Sequence, residues 1–230
     1  MVGSSDCQPL ECSEVRSYGD PCGIARALDV IGERWAILVV RELLLGPKRF
    51  TDLRAGLPRL GPDILSQRLR ELEQAGVVER DQLPPPAGSR VYRLTDSGRE
   101  LEPVVLALGR WGSRVPFPSG DEVLGVDALM LALKTLYDWD GARAGGLIGG
   151  TYEVRLAGQP FAVRLTDGQL DISPGAASDA LATIEADPAT LQAVLWHGRR
   201  LDEALDAGAL TIGGQRGAAE RLLALFPLPG

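Results

Sequence analysis

The polar residues of segment 62–75 could read a nucleic acid if the segment is a helix. At 100° per residue, Asp63, Gln67, Arg70 and Gln74 share one face with Ser66 at its flank, while Leu65, Leu69 and Leu72 form an apolar stripe opposite. Glutamine pairs with adenine and arginine with guanine through two hydrogen bonds each. Lys48, Arg49, Thr51 and Arg90 stand in flanking turns or at an element start, where contacts to phosphate position a protein without specifying a sequence. An ordinary solvated helix face has the same pattern, so the pattern by itself leaves both readings open.

Other chemistries find little support. His197, the one histidine, precedes Gly198, a place where a histidine more often closes a helix than catalyses. There is no glycine-rich phosphate loop, no nucleophile elbow and no paired Cys-x-x-Cys spacing. The expectation is a protein that is not an enzyme, with no metal and no cofactor. Cys7, Cys12 and Cys22 crowd one end of the chain, which is not a disulfide framework. No apolar run is long enough to span a bilayer, and the first twenty residues lack the apolar core of a signal peptide. A cytoplasmic location is expected.

Elements must hold these residues in place. Helices are expected at about 22–31, 34–45, 50–56, 62–75 and 96–114, and strands at 77–81 and 90–94. Gly46-Pro47 stops the second helix, Pro62 suits the first turn of the fourth and Gly76 ends it. A short helix, a turn, a longer helix and a hairpin follow one another as in a winged helix-turn-helix. The net charge of -7 is uneven along the chain. Residues 1–118 hold 16 basic and 16 acidic residues, whereas residues 119–230 hold 8 and 15. Residues 41–93 carry 10 basic against 7 acidic residues, a local excess of +3. Asymmetry of this kind suggests two domains with different partners. Residues 110–120, rich in proline and glycine, look like the linker between them.

The segments Cys22–Trp35, Arg41–Leu53, Leu65–Arg80 and Tyr92–Leu101 resemble, in order, the HxlR family of bacterial regulators. The resemblance covers roughly residues 20–114. It implies a winged helix-turn-helix that binds duplex DNA as a homodimer, often through its flanking helices, here the 96–114 segment. Two positions depart from the family's habit, Gly61 where serine is common and Asp63 where arginine is. An aspartate facing phosphates weakens affinity; it could instead accept from a cytosine amino group. Cys22 aligns with a cysteine that some relatives use to sense oxidants or electrophiles. A thiolate is favoured at a helix N-terminus.

The second half begins with a helical pattern at about 122–139. Alternating apolar residues then mark strands at 151–156, 161–165 and 169–173. Helices at 188–197 and 201–207, a strand at 209–212 and a helix at 215–226 complete it. The segments Thr166–Gly175, Ala186–Leu191, Gly198–Gly208 and Leu210–Gly214 resemble a sterol-carrier-protein-2-like domain. The resemblance implies an apolar cavity for hydrophobic molecules, lined by residues such as Met130, Trp139, Phe161, Trp196 and Phe226; each of these taken singly is better explained as core. The expected fold is therefore two domains, a mainly-α winged helix-turn-helix over 1–118 and an α+β SCP2-like sheet-and-helix domain over 119–230. The expected function is a DNA-binding transcription regulator, of the repressor kind, gated by a hydrophobic small-molecule effector. Two other readings stay open: a thiol-based redox or electrophile sensor working through Cys22, and a lipid-carrier module with an incidental helix-turn-helix.

Overall fold

The computed structural model describes residues 17–83, 88–115, 122–138, 140 and 149–228. Cys7, Cys12, Trp139 and the expected boundary near 118 lie outside the described residues. The first half runs α1 (Gly23–Ile31), α2 (Ala36–Leu43), α3 (Phe50–Gly56), α4 (Pro62–Gln74), β1 (Val78–Gln82), β2 (Arg90–Leu94), α5 (Asp96–Arg99) and α6 (Glu102–Gly112). β1 and β2 pair antiparallel to form the wing. Lys48 adds a bridge to it, exchanging both backbone hydrogen bonds with Tyr92 of β2 at 2.9 and 2.8 Å.

Helix α4 starts on Pro62, which has no N–H to leave unpaired in a first turn. It is followed by Gly76 at φ +72, a backbone region that glycine enters without strain. Its apolar stripe is sealed: Leu65, Leu69 and Leu72 are fully buried with Val39, Val40, Leu43, Leu53 and Leu94. The single helix expected over 96–114 is two helices, α5 and α6, broken at Glu100–Leu101. Pro103 lies in the first turn of α6, where a proline begins a helix but cannot continue one. Thr95 locks the start of α5, its hydroxyl accepting from the Gly98 N–H at 3.0 Å and donating to the Gly76 carbonyl at 2.6 Å.

The second half runs α7 (Val126–Leu136), β3 (Gly150–Leu156), β4 (Gln159–Thr166), β5 (Gln169–Pro174), β6 (Ala182–Ala186), α8 (Pro188–Trp196), α9 (Leu201–Asp206), β7 (Leu210–Gly214) and α10 (Arg216–Leu223). The five strands form one sheet in the order β5-β4-β3-β6-β7. β3 and β6 are parallel, and every other pair is antiparallel. Tyr152, Val154 and Leu156 of β3 and Phe161, Val163 and Leu165 of β4 point into the core, as their alternation requires. β6 was not expected from the sequence. Glu153 and Ala162, opposite each other on the other side of the sheet, are buried as well. There the Glu153 carboxylate accepts from the Ala177 N–H at 2.6 Å and from Arg155 at 2.5 Å. Burial pushes this carboxyl up, but the two donors outweigh burial and hold it below the usual carboxylate range.

Among the described residues the two halves touch each other. α7 packs on α2, α3 and α6 of the first half. Leu45, just past α2, belongs to the core of the second half, and Leu44 touches both cores. Gly109 of α6 lies against Thr135 of α7, close enough that a Cβ would stand 3.0 Å from its methyl carbon. Lys134 pairs with Glu102, and Arg110 donates to the Thr135 carbonyl at 3.2 Å.

Candidate nucleic-acid interface

With the leucine stripe of α4 facing inward, its opposite face is open. Asp63, Gln67, Arg70 and Gln74 are all exposed and Ser66 is half-buried. Gln67 donates to Glu71 one turn along at 3.0 Å, so its amide is held over the helix rather than swinging free. Arg49 and Thr51 are exposed at the start of α3, where Asp52 accepts from the Arg49 N–H at 3.0 Å and fixes the turn. Arg90 is exposed on the first residue of β2, at the base of the wing loop. These positions are spread over the helix-turn-helix and its wing, on α3, α4 and the start of β2.

Lys48 sits differently. Only 16% of its side chain is exposed, and its ammonium pairs with Asp127 of α7 at 2.7 Å. The flanking-turn position expected to meet phosphate is thus spent, in this arrangement, on the contact between the two halves. Behind it Glu42 of α2 is 1% exposed and bound to Arg41, whose Nη2 lies 2.6 Å from its Oε1. Burial raises the Glu42 carboxyl above the usual range, opposed by Arg41. Its other oxygen abuts Gly56 so closely that a Cβ there would stand 2.1 Å away, which explains the glycine closing α3.

Three exposed residues of this surface were passed over in the sequence. Arg54 of α3 and Arg59 of the turn before α4 add cations, and charge on the short helix of such a motif was the available signal. Ile64, 44% exposed, lies in the first turn of α4, where a side chain can touch a thymine methyl. It was hidden among the leucines because an apolar residue beside an apolar stripe reads as core.

Of the residues proposed to line a ligand cavity, Met130, Phe161 and Phe226 are buried within the second core. Trp196 is half-buried, its indole N–H donating to the Phe226 carbonyl at 2.8 Å. The Tyr152 and Tyr137 hydroxyls are buried without a hydrogen-bond partner among the described residues. Cys22 is exposed at the N-cap of α1. His197 lies exposed just past α8, its Nε2 3.4 Å from the Gln192 amide nitrogen. Among the described residues no cluster of His, Cys, Asp and Glu could hold a metal ion, and no helix is long and apolar enough to cross a membrane.

A buried leucine stripe, an open polar face at the second helix of the motif and a two-stranded wing define a winged helix-turn-helix protein. Residues 30–118 match the family described as HxlR-like helix-turn-helix. The uncharacterized HTH-type transcriptional regulator YvaP of Bacillus subtilis (strain 168) is 40% identical over 94 residues, covering 41% of this chain and 87% of that protein. The chain belongs to the HxlR-like helix-turn-helix family. The HTH-type transcriptional regulator YodB of the same organism is 36% identical over 97 residues, which cover 42% of this chain and 86% of YodB. The crystal structure of quinone-bound YodB from B. subtilis matches with a TM-score of 0.35 and 32% identity, covering 40% of this chain and 97% of that one. Each of these likenesses covers less than half of the chain.

Proposed function

We propose that this protein is a sequence-specific, DNA-binding transcription regulator that acts as a dimer in the cytoplasm and represses by occupying its site. The observation that carries this reading is the face of α4, the helix whose start would enter a major groove: a fully buried leucine stripe with Gln67 and Arg70 exposed opposite. Selecting duplexes from a random library with the full chain tests it. A pseudo-palindrome should emerge, with half-sites about one helical turn apart. On that duplex Arg70→Ala should cost about 1–3 kcal/mol and relax the preference at one position. Arg90→Ala should weaken all sequences alike. Unchanged affinity and preference in Arg70→Ala would show that another face reads the bases.

Dimerisation rests on two helices. Neither α1 nor α6 contains a buried residue, although both are rich in apolar side chains. Ile24 and Leu28 of α1, and Val104, Leu108 and Trp111 of α6, are exposed at helical spacing. A second copy covering these stripes would also place two recognition helices on one duplex.

The second half, residues 119–230, is proposed as an SCP2-like effector domain for a hydrophobic small molecule. Support comes from the mixed sheet covered by α7, α8 and α10, and from the unpartnered Tyr152 hydroxyl in its core. An unmatched buried hydroxyl costs about 1–3 kcal/mol, which a ligand acceptor would recover. Native mass spectrometry of freshly purified protein should show a dimer retaining a small molecule. A dimer that retains none and binds no fatty acid or aromatic compound would make this half a spacer.

A second reading follows from Cys22, exposed at a helix start, in a chain similar to a protein solved with quinone bound. Under ligand gating, Cys22→Ser should leave DNA binding and its regulation intact. Loss of the response to oxidants or quinones, with DNA binding retained, would establish thiol sensing instead.

A further inference from the structure

Arg59 stands in the turn between α3 and α4, two residues before the N-cap Gly61. Its side chain is 77% exposed and has one partner among the described residues, Glu122, whose Oε1 accepts from Nη2 at 2.7 Å. Glu122 comes from the other half of the chain, in the extended segment that leads into α7. That segment is gripped from behind. The Gln192 side chain of α8, itself buried, accepts from the Leu124 N–H at 3.0 Å and donates to the Glu122 carbonyl at 3.0 Å. Both ends of one amide are spent on this strap. An exposed ion pair contributes little by itself, but here the second half fixes the strap's backbone and presents the carboxylate to the arginine.

When a helix-turn-helix docks, its first helix crosses the sugar-phosphate backbone while the start of its second enters the groove. The turn joining the two is therefore close to phosphate. A guanidinium takes a carboxylate or a phosphate oxygen with the same charge-assisted geometry. We propose that Arg59 is a phosphate-binding residue of the DNA interface, and that Glu122 occupies the phosphate's place in the free protein. The assignment rests on the DNA-binding function proposed above. DNA must then displace Glu122, and whatever loosens the Gln192 grip on residues 122–124 frees Arg59 for DNA.

The test uses the full chain and the duplex selected from the random library, with affinity followed by fluorescence anisotropy between 50 and 200 mM salt. Glu122→Gln is expected to bind about two- to five-fold tighter at low salt, the range set by an exposed ion pair. Arg59→Gln is expected to bind more weakly, and adding Glu122→Gln to it should bring no further gain. Compared with Glu122→Gln alone, the double variant should show a log affinity against log salt slope shallower by about 0.9 for each phosphate that Arg59 no longer neutralises. The proposal is overturned if Glu122→Gln gives the same gain in the Arg59→Gln background, since the carboxylate then acts only by general repulsion. It is equally overturned if the two slopes agree. Failure of the unaltered chain to enrich any duplex would instead remove the DNA-binding reading, and this inference with it.

Discussion

Trp111→Glu is expected to turn the protein into a monomer without unfolding it. Trp111 is 64% exposed on α6, in line with Val104 and Leu108 at spacings of four and three residues. The opposite side of α6 holds the molecule together through Lys134–Glu102, the Arg110 hydrogen bond to the Thr135 carbonyl and the Gly109 contact. A change at 111 leaves those contacts alone. In a two-fold interface each substitution counts twice, and an interface tryptophan is commonly worth about 2 kcal/mol or more. Two copies give about 4 kcal/mol, which raises the dimer dissociation constant by about a thousandfold. Affinity for a full two-half-site duplex should fall steeply, whereas that for a single half-site should hardly change. Sedimentation velocity and circular dichroism are the measurements. A folded variant that remains dimeric would place the interface elsewhere, with α1 the next surface to change.

Helix α4 was legible from its sequence because one period settles it. Leu65, Leu69 and Leu72 can all be buried only if Asp63, Gln67 and Arg70 face out, and that is the arrangement found. β3 and β4 were legible for the same reason, their apolar residues recurring every second position. β6 was not. Ala182–Ala186 contains a single large apolar residue, Ile184, and becomes a strand by lying parallel to β3 in the middle of the sheet. That pairing is set by residues some thirty positions away, and local propensity yields to such context. The break between α5 and α6 could have been read from Pro103, but continuous helical spacing across it suggested one helix.

The contact between the halves was beyond the sequence altogether. Lys48 looks like any loop cation until α7 brings Asp127 to it, and Leu44-Leu45 looks like the end of one helix rather than part of two cores. Glu122 and Arg59 are 63 positions apart. No periodicity relates such residues, because the docking of two folded halves creates the relation.

The buried Glu42 at that junction carries the other large effect, this one on stability. Its carboxylate depends on Arg41, whose Nη2 and Nε both donate to Oε1, at 2.6 and 3.1 Å. Removing one partner of a buried pair leaves the other charge uncompensated, at a cost of about 3–5 kcal/mol. Arg41→Ala is therefore expected to destabilise the protein heavily, whereas Arg41→Ala combined with Glu42→Gln should recover most of the loss. The direction with pH follows from burial, which raises the Glu42 carboxyl above its unfolded value despite Arg41. As pH falls through the raised value, the folded chain takes up a proton that the unfolded chain does not, so the fold gains stability. That gain is complete once pH drops below the unfolded carboxyl value near 4.3. Arg41→Ala removes the one neighbour that most opposes the rise, so its deficit should shrink on acidification more than any change seen in the unaltered chain. Glu42→Gln should lack this pH response. Glu153 and Asp187, both held below the usual range, contribute in the opposite sense and at lower pH, where stability is lost as they protonate. Thermal melts of the four proteins between pH 7.5 and 5.5 separate these contributions, because the difference between variants cancels every group but Glu42. If Arg41→Ala melted like the unaltered chain at pH 7.5, Glu42 would already be neutral in the fold, and the pair would not stabilise α2 through charge.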